Sequence, residues 1–315
     1  MGIVGKLAVG AVLLCGAGAA AFWILTAPVR LGEAEIAALG TGDPIKGERI
    51  FWAGGCASCH SRPKAEGDAK LELAGGVELK TQFGTFVAPN ISQDKADGIG
   101  GWTELDFANA VLKGVSPSGT HFYPAFPYAS YARMTPVDVA DLYAFIKTLP
   151  AVSGKAPDHS LSFPFNIRRG LGLWKLLYVS PEPVIALDDG ATETQRVGRY
   201  LVEGPGHCGE CHTPRDFAGG TKKVQWLAGA AAAEGDGIVP NITPGEGGIN
   251  WSESEIAYYL ESGFTPDFDS AGGTMAEVQR NMAKLTPEDR EAIAAYLKAI
   301  PPHPNGYPPR QQPAN

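Results

Sequence analysis

Two pentapeptides of one design, Cys56-Ala57-Ser58-Cys59-His60 and Cys208-Gly209-Glu210-Cys211-His212, stand 152 residues apart in a chain of 315. They constrain the fold because their surroundings repeat with them. Thr135-Pro136-Val137-Asp138 and Thr286-Pro287-Glu288-Asp289 lie 151 apart. In each, Thr suits a helix N-cap, Pro the first helical position and the acidic residue the third, where it meets the helix dipole or returns the capping bond. Leu142, Phe145, Ile146 and Leu149 recur as Ile293, Tyr296, Leu297 and Ile300, one apolar face at helical spacing, and the runs stop at Pro150 and Pro301. Trp102-Thr103-x-x-Asp106, closing at Gly114, is matched by Trp251-Ser252-x-x-Glu255, closing at Gly263, and Pro89-Asn90-Ile91-Ser92 by Pro240-Asn241-Ile242-Thr243. The chain is therefore expected to be mainly α and duplicated, with one repeat over residues 44–152 and a second over 191–303. A connector at 153–190 joins them, its aromatics around Phe163, Phe165 and Trp174 expected to pack between the repeats, and a Pro-rich tail covers 304–315.

Leu7 to Thr26 runs twenty positions without a charge, after Lys6 and before Arg30. At about 1.5 Å per residue such a helix spans a hydrocarbon core of roughly 30 Å. Residues 1–30 are read as an N-terminal membrane anchor in contact with the lipid bilayer through residues 7–26; a cleaved signal peptide, with its shorter apolar region, is the alternative. Either way the rest of the chain is exported. Cys15 then faces lipid as an apolar side chain. An apolar fraction of 44% with 19% charged residues belongs to a globular chain, and a net charge of -8 removes the electrostatic basis for nucleic-acid binding.

Cysteines at i and i+3 with histidine at i+4 project from one side of a helical turn. The two sulfurs can bond the vinyl groups of one haem while the imidazole reaches its iron, so each motif reads as a c-type attachment site and the chain as the carrier of two covalently attached haem c groups. A four-cysteine zinc site needs the pairs to converge, a thioredoxin-like pair needs a βαβ pattern, and a structural disulfide leaves the adjacent His unexplained.

Each iron then needs a ligand on its far face, and the chain has only four methionines. Met134 is favoured over His121 for the first haem, and Met275 over Met282 for the second, since Met282 forms an apolar stripe with Val278 and Leu285. The metal ligands are thus His60, Met134, His212 and Met275. His207, next to Cys208, reads as a surface or propionate contact, and His159 and His303 as structural or solvated. Asn90 and Asn241 with Ser92 and Thr243, and the indoles of Trp102 and Trp251, are placed either to donate to haem propionates or to serve turn chemistry and packing. Arg215 is a further propionate partner or a solvated charge.

Gly198-Arg199-Tyr200-Leu201-Val202 leading into Gly206-His207-Cys208, then Thr213-Pro214-Arg215, Pro240-Asn241-Ile242-Thr243 and the helix to Pro301, resembles the multihaem cytochrome c subunits of membrane-bound alcohol, aldehyde and gluconate dehydrogenases. The connector, Phe163-Pro164-Phe165-Asn166-Ile167-Arg168 and Trp174-Lys175, is similar too. The resemblance implies two tandem class I cytochrome c domains on the periplasmic side of a bacterial cytoplasmic membrane. They would carry electrons between a membrane-bound or periplasmic dehydrogenase, or a respiratory complex, and a downstream acceptor. Two departures stand out: such subunits typically carry three motifs, and Ala125-Phe126-Pro127-Tyr128 replaces an Ala-Met-Pro-Tyr common among them. A di-haem peroxidase with one openable iron is the alternative expectation, and a structural haem-binding assembly subunit a third.

Overall fold

A computed structural model describes residues 2–37, 41–232 and 237–307. The chain opens with α1 (Ile3–Leu25) and a short α2 (Glu33–Ala37). The first repeat supplies α3 (Pro44–Ala53), α4 (Cys56–His60), strands β1 (Glu78–Thr81) and β2 (Gly84–Val87), α5 (Glu104–Lys113), α6 (Tyr128–Tyr131) and α7 (Pro136–Ile146). The connector adds β3 (Ser160–Leu161), antiparallel to β2, and α8 (Leu171–Tyr178). In the second repeat come α9 (Glu193–Glu203), α10 (Gly209–His212), the strand pair β4 (Ala230–Ala231) and β5 (Ile238–Val239), α11 (Glu253–Ser262), α12 (Gly273–Met282) and α13 (Pro287–Ala299).

Helices begin and end where the repeated residues place them. Thr103 with Asp106 and Ser252 with Glu255 form reciprocal capping boxes for α5 and α11, and Thr135 and Thr286 cap α7 and α13 ahead of a proline. Gly114 and Gly263 close α5 and α11 at φ of 59° and 81°, a left-handed conformation that costs glycine no steric penalty.

In each repeat the first helix crosses the last, α3 on α7 and α9 on α13. The crossings rest on glycine. A Cβ at Gly47 would lie 1.9 Å from the Asp141 carbonyl oxygen, and one at Gly198 would lie 1.8 Å from that of Ala292. Neither approach is sterically tolerable for a larger residue. Around the first crossing Ile50, Phe51, Phe107, Val111, Leu142 and Ile146 are buried together; around the second, Leu201, Val202, Ile256, Leu260, Ile293 and Leu297. Each such burial contributes about 1.5–3 kcal/mol.

The connector touches both repeats. Lys175 Nζ donates to the Lys113 and Gly114 carbonyls at the end of α5, at 2.6 and 2.7 Å, while Trp174 Nε1 donates to Ala218 O at 3.0 Å. Glu203, buried in the second repeat, accepts from the Val184 and Ile185 amides at 2.6 and 3.0 Å. Of the aromatics expected to pack, Trp174 lies against Tyr128 and Phe165 edge-on to Phe83, with ring centroids 6.1 and 4.8 Å apart, while Phe163 is exposed. Of the tail, residues 308–315 lie outside the described residues, and Gly306 N donates to Ala228 O at 2.8 Å. No residue of α1 is buried in the protein, although Thr26 just after it is.

Candidate functional site

Gly55 and its counterpart His207, at φ of 58° and 39°, turn the chain sharply into each Cys-x-x-Cys-His segment. The following helical turn presents both sulfurs and the imidazole. His60 Nδ1 lies 2.9 Å from the Pro89 carbonyl oxygen, and His212 Nδ1 lies 2.8 Å from that of Pro240. A carbonyl only accepts, so each Nδ1 carries the proton and each Nε2 is left with a free lone pair, the form that ligates iron. Burial lowers the pKa of both imidazoles and keeps them neutral. It also pushes the Cys56 and Cys208 thiols up to about 12.

Backbone contacts clamp the other side of each motif. Gly75 N donates to His60 O at 2.6 Å, and Gly229 N to His212 O at 2.7 Å. Both glycines have positive φ, and a Cβ on Gly75 would reach within 2.7 Å of Asn90 N, one on Gly229 within 2.6 Å of Asn241 N. The loop ahead of each Pro-Asn segment therefore lies directly on it, leaving no room for a side chain.

Asn90 Nδ2 donates to Val152 O and Gly154 O, at 2.7 and 2.9 Å, and its Oδ1 accepts from Ser92 N. Asn241 Nδ2 donates to His303 O and Asn305 Oδ1, at 2.8 and 3.2 Å, and its Oδ1 accepts from Thr243 N and Thr243 Oγ1. Of the two alternatives, these contacts are those of turn chemistry, with both amide hydrogens of each asparagine engaged by oxygens of the chain. Each asparagine ties its Pro-Asn turn to the chain leaving the repeat's last helix and so fixes the carbonyl that orients the histidine. Arg215 likewise pairs with Glu210 Oε2 at 2.6 Å and with the Gly219 carbonyl. Trp102 lies half-buried against the first core, its carbonyl accepting from Tyr143 Oη at 2.6 Å, and Trp251 packs on Tyr259 with ring centroids 5.3 Å apart.

Met134 is buried in the core around α3 and α7. His121, its competitor, holds the Thr26 carbonyl at 2.9 Å through Nε2. Met282 is buried in the second core at 4% exposure, while Met275, in the first turn of α12 after Gly272, is only half-buried against it. His207 Nε2 lies 3.2 Å from Gly54 O across the repeats, and His159 Nδ1 accepts from Val87 N at 3.1 Å. The His303 backbone bonds Asn241 and Thr243. Among the described residues no three His, Cys, Asp or Glu side chains converge on one point. Two thiols and a bare imidazole nitrogen on one turn, beside an apolar core, fit a covalently held haem c.

The two motifs face each other across a pseudo-twofold contact that sequence reading missed. Asn281 Nδ2 on α12 donates to Ser58 Oγ of the first motif at 2.7 Å; one repeat away, Ser130 Oγ on α6 donates to Glu210 Oε1 of the second at 2.8 Å. Arg49 grips Asp289 through two bonds of 2.7 and 2.6 Å, and its counterpart Tyr200 bonds Asp138. Lys70 pairs with Glu277 at 2.5 Å. The Cys211 sulfur lies close enough to raise the Cys59 pKa electrostatically, a lesser cause than burial. Four of these five contacts are related by offsets of 151 or 152, but of their positions only Asp138 and Asp289 keep their residue type, so the sequence carried little signal of them.

A histidine and two cysteines on one helical turn, the histidine oriented by a proline carbonyl and backed by a crossing of first and last helices, define a c-type cytochrome. The cytochrome c family model matches residues 45–150. The chain is 56% identical over 296 residues to the diheme cytochrome c-type protein of Cereibacter sphaeroides, covering 94% of this chain and 98% of that one. The chain belongs to the same family of c-type cytochromes, and its function is electron transfer by covalent haem c. Two further relatives are the fructose dehydrogenase cytochrome subunit of Gluconobacter japonicus, 36% identical over 259 residues, and the quinone alcohol dehydrogenase cytochrome c subunit of Gluconobacter oxydans, 35% over 273. They match 81% and 83% of this chain, which spans only 52% and 55% of their own lengths. These likenesses do not favour a peroxidase.

Proposed function

We propose that the protein binds two haem c groups, through Cys56, Cys59 and His60 and through Cys208, Cys211 and His212, and relays electrons from a membrane-bound or periplasmic dehydrogenase to a downstream acceptor. The observation that carries this reading is the pseudo-twofold contact, in which each motif is fastened to the other repeat through its own third residue, Ser58 or Glu210. Such an arrangement brings the two attachment sites together in a fixed geometry, as serial one-electron transfer requires. Bound there, haem iron cycles between Fe(II) and Fe(III) by one electron. The chain's own residues hold the ring orientation of each histidine, keep it neutral and surround the site with apolar side chains.

Met134 and Met275 are the proposed far-side ligands. His121 already holds the Thr26 carbonyl, which favours Met134, itself lining the first core; of the second pair Met275 is the less buried and Met282 the more deeply packed. A thioether on the far side raises the potential relative to a second histidine.

In this reading α1 anchors the protein in the cytoplasmic membrane with the repeats in the periplasm. Its 23 residues span about 34 Å, none of them is buried, and a cleaved signal sequence would share its composition. The likeness to dehydrogenase cytochrome subunits supports a dehydrogenase as donor. A reductive titration of carbonate-washed membranes tests the whole proposal: two electrons per chain are expected in the pellet. A one-electron uptake, or haem found in the wash, contradicts it.

A further inference from the structure

Helix α8 is built inside out. Leu173, Leu176 and Leu177, at i, i+3 and i+4, share one face and are 41%, 63% and 75% exposed, whereas Lys175 on the other face turns inward to the two α5 carbonyls. The segment leading into it is apolar as well, with Phe163 and Ile167 at 78% and 50% exposure and Phe165, edge-on to Phe83, at 45%. A helix facing water has the opposite arrangement, and a patch of this kind marks an interaction surface.

Its position identifies the occupant. The same segment seats the end of α1: a Cβ on Gly172 would lie 2.5 Å from Thr26 Cα, Arg169 Nε donates to Thr26 Oγ1 at 2.9 Å, and the Arg169 guanidinium stacks over the Trp23 ring at 4.3 Å. Trp23 in the last turn of α1 is the residue type that sits at headgroup level. The apolar face of α8 thus begins where α1 ends, presenting a leucine row to the acyl boundary.

We propose that residues 163–178 form a second, interfacial membrane contact, lying in the headgroup layer and holding the two repeats at a fixed orientation over the bilayer. The proposal rests on α1 being the anchor. Arg168 strengthens the link to the first repeat, its guanidinium lying 4.3 Å over Tyr123 and donating to His121 O at 3.1 Å, so that orientation set at the membrane passes to the repeat through rigid contacts.

Nitroxide accessibility on the full haem-loaded chain in phosphatidylcholine nanodiscs tests it. Cys15 is the one cysteine outside the motifs and reports the anchor; a second sample carries the label at Leu176→Cys with Cys15→Ser. Both labels are expected to collide more with oxygen than with a water-soluble nickel chelate, and a label at Tyr258→Cys on α11 to show the reverse. If residue 15 is immersed and residue 176 prefers the chelate, the interfacial contact is wrong while the anchor stands. If residue 15 itself prefers the chelate, the anchor is wrong. A label at 176 shielded from both reagents means that protein, a second copy or another chain, covers the face, and overturns the proposal. Labels at Phe163→Cys and Leu177→Cys give the same reading if Leu176→Cys does not assemble.

Discussion

Asn281 on α12 donates its amide to the hydroxyl of Ser58, the third residue of the first motif, at 2.7 Å, so the second repeat holds the first at its haem-attachment turn. The mirror contact, Ser130 to Glu210, holds the second motif from the first repeat. Asn281→Ala and Ser130→Ala should each cost about 1 kcal/mol of stability, measured by urea unfolding, because each removes one hydrogen bond at a half-buried site. Both should also narrow the mutual influence of the two haem potentials in a redox titration. Unchanged potentials would mean that the contact plays no part in placing the haems.

Arg49→Ala should cost more, about 2 kcal/mol, since it strands the buried Asp289 carboxylate without its two charge-assisted bonds. A urea midpoint within error of the parent would contradict this.

Gly47→Ala should destabilise the first repeat by about 2–3 kcal/mol, because the added carbon would overlap the Asp141 carbonyl and force α3 off α7. Gly198→Ala should do the same to the second repeat through Ala292. If either variant unfolds with the parent's midpoint, the helices are not in the close contact described.

These glycines show where sequence reading stopped. The capping residues Thr103, Thr135, Ser252 and Thr286 were legible because capping depends on side chains within one helical turn, and the Cys-x-x-Cys-His turns because their chemistry is local. Gly47 and Gly198 carry no local signal; their role exists only when two helices separated by nearly a hundred residues cross. Asn90 and Asn241 were ambiguous for the same reason, as their partners, Val152 and His303, lie more than sixty residues on. In the connector, Trp174 packs on Tyr128 and bonds Ala218 while the leucines of α8 face outward, because periodicity identifies an apolar face without saying what covers it.

Met134→Ala and Met275→Ala should each open one iron to carbon monoxide in the reduced protein and lower that haem's potential, since thioether ligation favours Fe(II). Met282→Ala should instead cost about 2–5 kcal/mol of stability, as a core truncation, with no carbon monoxide site. The reverse pattern would exchange the two assignments.

Burial brings the Lys175 ammonium down to about 7. Unfolded, the same group titrates near 10.4. Between these values the unfolded chain holds a proton that the native chain has released, so this residue makes stability rise with pH across that window. Lys175→Met should flatten the rise in urea midpoint between about pH 7 and 10, and an identical slope in the variant would show that the group titrates normally.

The central claim, one covalent haem on each motif, is tested most directly by intact mass under denaturing conditions after acid-acetone extraction. The parent should retain the mass of the chain plus two haems. Cys56→Ala with Cys59→Ala should retain one, as should Cys208→Ala with Cys211→Ala. A parent carrying a single haem, or one that loses its haem to the solvent, would contradict the account.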